Sequence, residues 1–211
     1  MDANPRCLVV AGYDEIADVY LDRFGVSVVR QKWLGRLIES LRSDCSNVLD
    51  LGCGAGIPVA RNLAALGHSI VGVDGSAQQI VRARCNVPAA TFIEADMCEV
   101  AFEAASFDAV GAFYSITHIP SAQQGVIISK IALWLKPGGT LVASFAAGEA
   151  GEWIGEWLGT TMFFGHSGED ATLRCLRDAG LTIRRSLVEP QDNEDASFLW
   201  IEAVKRPSLH E

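Results

Sequence analysis

Hydrophobic and polar positions follow two rhythms along the chain, a helical one at its start and a strand-and-helix alternation over most of the rest. Tyr13, Ile16, Ala17, Tyr20, Leu21 and Phe24 recur at spacings of three and four, which predicts a short helix from Tyr13 to Phe24 after a loose leader over residues 1–12. A second helix is predicted from Val28 to Leu41, with Trp33, Leu37, Ile38 and Leu41 inward and Arg30, Lys32 and Arg36 on a solvated face. The apolar run that begins at Asn47 and ends at a glycine-rich turn reads as a buried strand, and an alanine-rich helical segment, Val59 to Leu66, follows it. Ser69 to Asp74 is a second strand before a helix from Ser76 to Ala83; Ala90 to Met97 and Phe107 to Ser115 are the third and fourth. A helix from Ser121 to Leu135 stops at Lys136-Pro137-Gly138-Gly139, because proline cannot continue it and the glycines allow the reversal into the strand Thr140 to Phe145. After a helix from Ala171 to Ala179, with Gly180 as its C-cap, two runs remain, Leu181 to Val188 and Phe198 to Lys205. Their short acidic, proline-containing linker predicts an antiparallel pair at a sheet edge. Strand and helix in alternation imply an α/β, doubly wound, mostly parallel sheet with right-handed crossovers.

One stretch departs from that alternation. Residues 146–167 hold Trp153, Trp157, Met162, Phe163 and Phe164 among five glycines. An insertion after the fifth strand lies at the edge of the sheet where ligands bind, so its aromatics are expected to cap an apolar ligand; a dimer surface or a satellite core would use the same residues.

The turn at Gly52-Cys53-Gly54-Ala55-Gly56 is the chemical centre of the sequence. Glycines at alternate positions allow positive φ and let a ligand lie against bare backbone beside the amides that open the next helix. A pyrophosphate-binding dinucleotide loop needs Gly-x-Gly-x-x-Gly, and Ile57 stands where its third glycine belongs. A nicotinamide-dependent oxidoreductase is disfavoured on that ground. Asp74, which ends the second strand, follows Gly52 by 22 positions, near the roughly 20 at which a strand-end carboxylate meets ribose hydroxyls in doubly wound folds. Capping of the next helix, shared with Ser76, is its structural alternative.

With an acidic residue before Gly-x-Gly-x-Gly, the stretch Asp50, Gly52, Gly54 and Gly56 resembles the first motif of the class I S-adenosylmethionine-dependent methyltransferases, and Leu135 to Gly139 matches the turn before their fifth strand. The resemblance implies a Rossmann-like methyltransferase fold over residues 1–211, a seven-stranded sheet ordered 3-2-1-4-5-7-6 whose last strand is antiparallel. Residues 13–42 would form an N-terminal helical lid and 146–167 an aromatic cap insertion. Tyr13, Ala17 and Tyr20 resemble the family's segment that covers the cofactor, although plain packing of the helix on the core fits them equally. The resemblance assigns cofactor contacts to Tyr13, Tyr20, Asp50, Gly52, Gly54, Gly56, Asp74, Gly75, Ser76, Asp96, Met97 and Tyr114, with Asp96 on the adenine amino group and Met97 against the ring.

Methyl transfer from a sulfonium is an in-line displacement that needs a positioned nucleophile and a dry site. His118, just after the fourth strand, is the best-placed general base for an oxygen acceptor if it does not merely fix its turn, and His166 is second. The cap contributes Trp153, Trp157, Phe163 and His166 as expected substrate contacts. The implied activity is S-adenosylmethionine-dependent methylation of a small apolar or aromatic molecule, oxygen favoured over nitrogen or sulfur, with S-adenosylhomocysteine as product. A protein of the same fold that binds S-adenosylmethionine without methylating would carry the same motifs. Phe113-Tyr114-Ser115-Ile116 replaces the Asn/Asp-Pro-Pro-Tyr signature of nucleic-acid amino-methyltransferases.

Composition narrows the setting. A formal charge of −9 with no basic run disfavours nucleic acid, and no apolar run is long and uncharged enough to span a membrane. Six cysteines without a Cys-x-x-Cys pair fit reduced, small buried hydrophobes in a cytoplasmic protein, a monomer or homodimer without a metal site.

Overall fold

A computed structural model describes residues 4–41, 45–192 and 194–207. Residues 1–3 of the expected leader and residue 42, the last of the expected lid, lie outside them. In chain order the elements are α1 (Pro5–Phe24), α2 (Val28–Ser40), β1 (Asn47–Leu51), α3 (Val59–Ala65), β2 (Ser69–Asp74), α4 (Ala77–Asn86), β3 (Thr91–Glu94) and β4 (Phe107–Ala112). A single 3-10 turn, Ile116–His118, leads to α5 (Ser121–Trp134) and β5 (Leu135–Ala146). There follow β6 (Gly151–Trp157), β7 (Thr160–His166), α6 (Glu169–Asp178), β8 (Leu181–Pro190) and β9 (Ser197–Lys205).

Seven strands make one sheet in the order β3-β2-β1-β4-β5-β9-β8, and β9 runs antiparallel to both of its neighbours. Leaving out the β6–β7 hairpin, this is the expected order 3-2-1-4-5-7-6. Alternation along β1 divides the core between the two faces of the sheet. Leu49 and Leu51 join Ile127, Ile131 and Trp134 of α5, whereas Val48 packs with Trp33 and Leu37 of α2 and Leu63 of α3. On that second face Trp33 stacks on Trp200 at 5.3 Å, a pair worth about 1 kcal/mol beyond the area it buries. The strand order reverses between β1 and β4, which opens a crevice beyond their carboxyl ends.

Several expectations are corrected. Residues 5–12 belong to a 20-residue helix rather than to a leader: Asn4 accepts the Arg6 amide at 3.1 Å, and Pro5 sits in the first turn, where a missing N–H costs nothing. The aromatic insertion is a β-hairpin, closed by the two-residue turn Leu158-Gly159 with φ of 52° and 87°. Positive φ at both positions is the turn geometry that matches the twist of the paired strands. Arg30, expected outward, is 5% exposed, because it shares a helix face with Trp33, Leu34 and Leu37. Cys53 alone is buried, while Cys7, Cys45 and Cys85 are exposed.

Candidate active site

The crevice continues into a cavity of about 760 Å³, its open mouth included, roofed by α1 and floored by the carboxyl ends of β1 to β4. At its centre the Asp74 carboxylate accepts the Gly54 amide at 2.8 Å through Oδ2 and the Ser76 amide at 2.9 Å through Oδ1. The strand-end carboxylate thus sets the shape of the glycine turn, while its remaining lone pairs are left for a ligand. Burial raises its pKa, and the amides of Ser76 and Gly54 oppose that rise. Gly52 has a φ of 71°, and a Cβ there would lie 2.2 Å from the Ser115 Cβ, so the turn admits no larger residue at this point.

Helix α1 is latched across the opening by polar contacts. Asp14 Oδ1 accepts from Ser76 Oγ at 2.5 Å and from the Gln78 amide at 3.1 Å, so a residue of α1 helps cap the N-terminus of α4. Asp18 pairs with Arg82 at 2.9 Å, and Glu15 accepts the Thr160 hydroxyl at 2.7 Å. A Cβ on Gly75 would stand 2.8 Å from Val10 Cγ2, so the roof rests directly on the β2 turn.

At the far end of the cavity Asp96 accepts the Cys98 amide at 2.8 Å through Oδ1 and pairs with Arg6 at 2.6 Å through Oδ2. Ala95 and Met97 line the wall beside it. At the opposite end stand Phe113, Tyr114, Tyr13, Tyr20, His118 and Ile119. Tyr114 adopts a φ of 59°, a left-handed conformation costing roughly 1–2 kcal/mol for a residue of its size and held here by a 2.6 Å bond from its amide to Ser144 Oγ.

A smaller space of about 430 Å³ adjoins the first across Gly52 and Gly54, with Asp50 and Arg30 in its wall. Asp50 Oδ2 is buried without a partner, and burial together with Asp74 pushes the carboxyl up to about 7. Arg30 spends its terminal nitrogens on the Phe24 carbonyl (3.3 Å) and the Tyr20 hydroxyl (2.9 Å) and lies 4.9 Å from the centre of the Tyr114 ring; its Nε is buried without a partner. An incompletely bonded buried guanidinium and an incompletely bonded buried carboxylate in one wall suit a zwitterion, which would supply an anion to one and a donor to the other.

His118 is buried and engaged at both ring nitrogens. Nδ1 lies 2.9 Å from the Phe163 carbonyl oxygen, and Nε2 lies 2.8 Å from the Tyr13 hydroxyl. Burial pulls its pKa down to about 4, while the Phe163 carbonyl works in the opposite direction, so the ring is neutral near pH 7.

Of the residues predicted for the cofactor, all but Asp50 and Gly56 line the main cavity, and Asp50 lines the adjoining one. Gly56 faces Val87, Phe92 and Ala83 and serves the packing of helix on strand. The four residues predicted from the insertion line neither space. Trp153 is 48% exposed, and Phe163 is buried with only its carbonyl directed to His118. Trp157 stacks on Phe24 at 6.0 Å and donates to Glu194 at 2.5 Å, while His166 Nδ1 is buried without a partner. The physical reason is α1, whose Tyr13, Tyr20 and Phe24 pack on Trp157 and whose Gly12 lies against Met162, so that this helix covers the aromatic face of the hairpin. The hairpin supports the wall from behind. Sequence reasoning missed Arg6, Val9, Val10, Arg30 and Gln79; Asn4-Pro5 was the signal for the first three, and the shared face with Trp33 and Leu37 was the signal for Arg30. Among the described residues, no three of His, Cys, Asp and Glu gather closely enough to hold a metal ion, and no helix is long and apolar enough to cross a membrane.

Comparison with known families gives this geometry its context. The methyltransferase-domain family model matches residues 48–139, from β1 through the turn inside β5. A carboxy-S-adenosyl-L-methionine synthase of Colwellia psychrerythraea is 32% identical over 143 residues, covering 62% of this chain and 58% of that protein. The chain spans about half the length of the curated relatives it matches. Among solved structures, the methyltransferase fold recurs in the 1,6-didemethyltoxoflavin-N1-methyltransferase of Burkholderia thailandensis, bound to 1,6-didemethyltoxoflavin and S-adenosylhomocysteine. It has a TM-score of 0.74 at 21% identity and covers 95% of this chain and 87% of that one. The magnesium protoporphyrin IX methyltransferase of Synechocystis PCC 6803, with bound SAM, gives a TM-score of 0.72 at 20% identity and covers 97% and 100%.

Proposed function

We propose that this chain transfers a methyl group from S-adenosylmethionine to a small, neutral, apolar or aromatic acceptor, with oxygen favoured over nitrogen or sulfur. The observation that carries the reading is the succession of groups along two adjoining spaces: Asp96 and Met97, then Asp74, then the glycine turn with Asp50 and Arg30, and finally an aromatic end at Tyr13 and His118. Adenine, ribose and a zwitterionic amino-acid tail require that succession of partners. Asp96 Oδ2 would take the adenine amino group once Arg6 releases it, Asp74 would take the ribose hydroxyls, and Arg30 and Asp50 would hold the carboxylate and ammonium of the tail. The cofactor supplies an electrophilic methyl group. The chain holds it, excludes water beneath α1, and presents the acceptor from the aromatic end. Helices α1 and α2 act as the lid of one catalytic domain, with the hairpin as its brace. Among the described residues that line the main cavity, the one cation is Arg6, engaged at the other end with Asp96, which favours an uncharged acceptor.

A second reading has its own support. The relative named as a carboxy-S-adenosyl-L-methionine synthase keeps S-adenosylmethionine chemistry under a name that is not methyl transfer, so binding without methylation of an acceptor remains the competing function. Incubation of the protein with S-adenosylmethionine and a panel of phenols, alcohols and amines, followed by mass spectrometry, separates the two. Acceptors heavier by one methylene support methyl transfer; tight binding of the cofactor with no methylated product in any class supports the second reading.

A further inference from the structure

This inference rests on the methyl-transfer reading and concerns which group meets the acceptor. His118 has the chemistry of a general base, yet its free lone pair is already taken. The Phe163 carbonyl can only accept, so the proton of the neutral ring resides on Nδ1, 2.9 Å away. Nε2 is therefore an acceptor, and the Tyr13 hydroxyl 2.8 Å from it donates. Having given its only proton to His118, the Tyr13 oxygen offers lone pairs alone. Its ring is braced by Tyr20 at 5.3 Å and by Trp157 at 6.2 Å, and both Tyr13 and His118 line the main cavity. A substrate hydroxyl cannot reach Nε2 without displacing Tyr13, but it can donate to the Tyr13 oxygen.

We infer that Tyr13 is the catalytic residue that takes the hydrogen bond of a neutral phenol or alcohol, and that His118 is a positioning residue behind it that receives the proton. In the step, a lone pair of the acceptor oxygen forms the new C–O bond while the C–S bond breaks and its electron pair goes to sulfur. The acceptor's hydroxyl proton passes to the Tyr13 oxygen as the Tyr13 proton passes to Nε2. One positive charge, on the sulfonium, is present before the step, and one, on the imidazolium, is present after it. A ring that burial keeps neutral in the free protein thus gains its proton only as the neighbouring positive charge disappears. A carboxylate acceptor would bring no proton and would face the oxygen lone pairs of Tyr13.

The test uses the intact chain saturated with S-adenosylhomocysteine, titrated with a panel of monocyclic phenols and their methyl ethers. With each variant saturated by S-adenosylhomocysteine, wild type is expected to bind a phenol at least about tenfold more tightly than its ether, and Tyr13→Phe to erase that preference. ¹⁵N spectra of the histidine-labelled protein are expected to show His118 protonated on Nδ1 and bare at Nε2. With an accepted phenol, Tyr13→Phe should lower kcat by about a hundredfold, and His118→Gln should abolish the pH dependence of kcat. Equal phenol binding by wild type and Tyr13→Phe, a proton on Nε2, or binding of S-adenosylhomocysteine with no phenol binding at all would each overturn the inference. Absence of S-adenosylhomocysteine binding would instead strike the cofactor reading on which it rests.

Discussion

Asp74 accepts the backbone amide of Gly54 at 2.8 Å, so one carboxylate both shapes the glycine turn and faces the cavity. A substitution at this position removes a ligand contact and a structural brace together. Asp74→Ala is expected to weaken S-adenosylhomocysteine binding by at least about a hundredfold, in line with the loss of charge-assisted hydrogen bonds, and to lower the melting temperature of the ligand-free protein. Calorimetric titration paired with a thermal melt checks both. An unchanged Kd would remove Asp74 from the binding site.

Arg30 makes a sharper separation, because only the amino-acid tail of the ligand should sense it. Arg30→Met is expected to cost about 2 kcal/mol of S-adenosylhomocysteine binding, the scale of a hydrogen-bonded charge, and to leave adenosine binding unaltered. Equal losses for both ligands would place Arg30 in packing rather than in recognition.

Burial of Asp50 gives a pH dependence with a defined sign. Its carboxyl is pushed up to about 7, and an ammonium partner requires the ionised form. Affinity for S-adenosylhomocysteine should therefore rise with pH and level off above neutrality, being about tenfold weaker at pH 6 than at pH 8. In the ligand-free protein the folded state holds this proton more tightly than the unfolded state does. The contribution of Asp50 to stability is thus greatest in acid and is lost as pH rises from the ordinary carboxylate range through 7. Asp50→Asn should flatten both profiles, which titrations and melts across this range measure.

Arg6 competes for Asp96, whose second oxygen the adenine amino group would use. The pair is partly exposed, at 28% and 27%, so its worth is at most about 1 kcal/mol. Arg6→Ala should tighten adenosine binding by about two- to fivefold; a loss of affinity would mean that Arg6 holds the ligand instead of competing with it.

The sheet was legible because its central strands β1, β2 and β4 are short, mostly buried apolar runs and the stops around them are rich in glycine and proline. Asp50, Asp74 and Asp96 lie within two residues of a strand's carboxyl end, and such ends converge on one edge in this topology; Asp74 was indicated by its spacing from Gly52, and Asp50 and Asp96 by the family resemblance. The helical roof was less legible. Its first turn holds polar Asn4 and Arg6, which read as a leader until the capping bond and the position of Pro5 are seen. The hairpin misled for a different reason: Trp153, Trp157 and Phe163 mark an apolar surface, but sequence does not say which neighbour covers it. Here Phe24 and Tyr20 cover Trp157. Nor does spacing reveal that the His118 ring is occupied by Tyr13, since the two lie 105 residues apart.

The most direct test of the account is a calorimetric titration of the purified chain with S-adenosylhomocysteine. A single site per chain with a micromolar Kd, lost in Asp74→Ala, is the predicted result. No heat of binding from wild type up to millimolar ligand would contradict the assignment of the cavity to this cofactor, and with it the proposed methyl transfer.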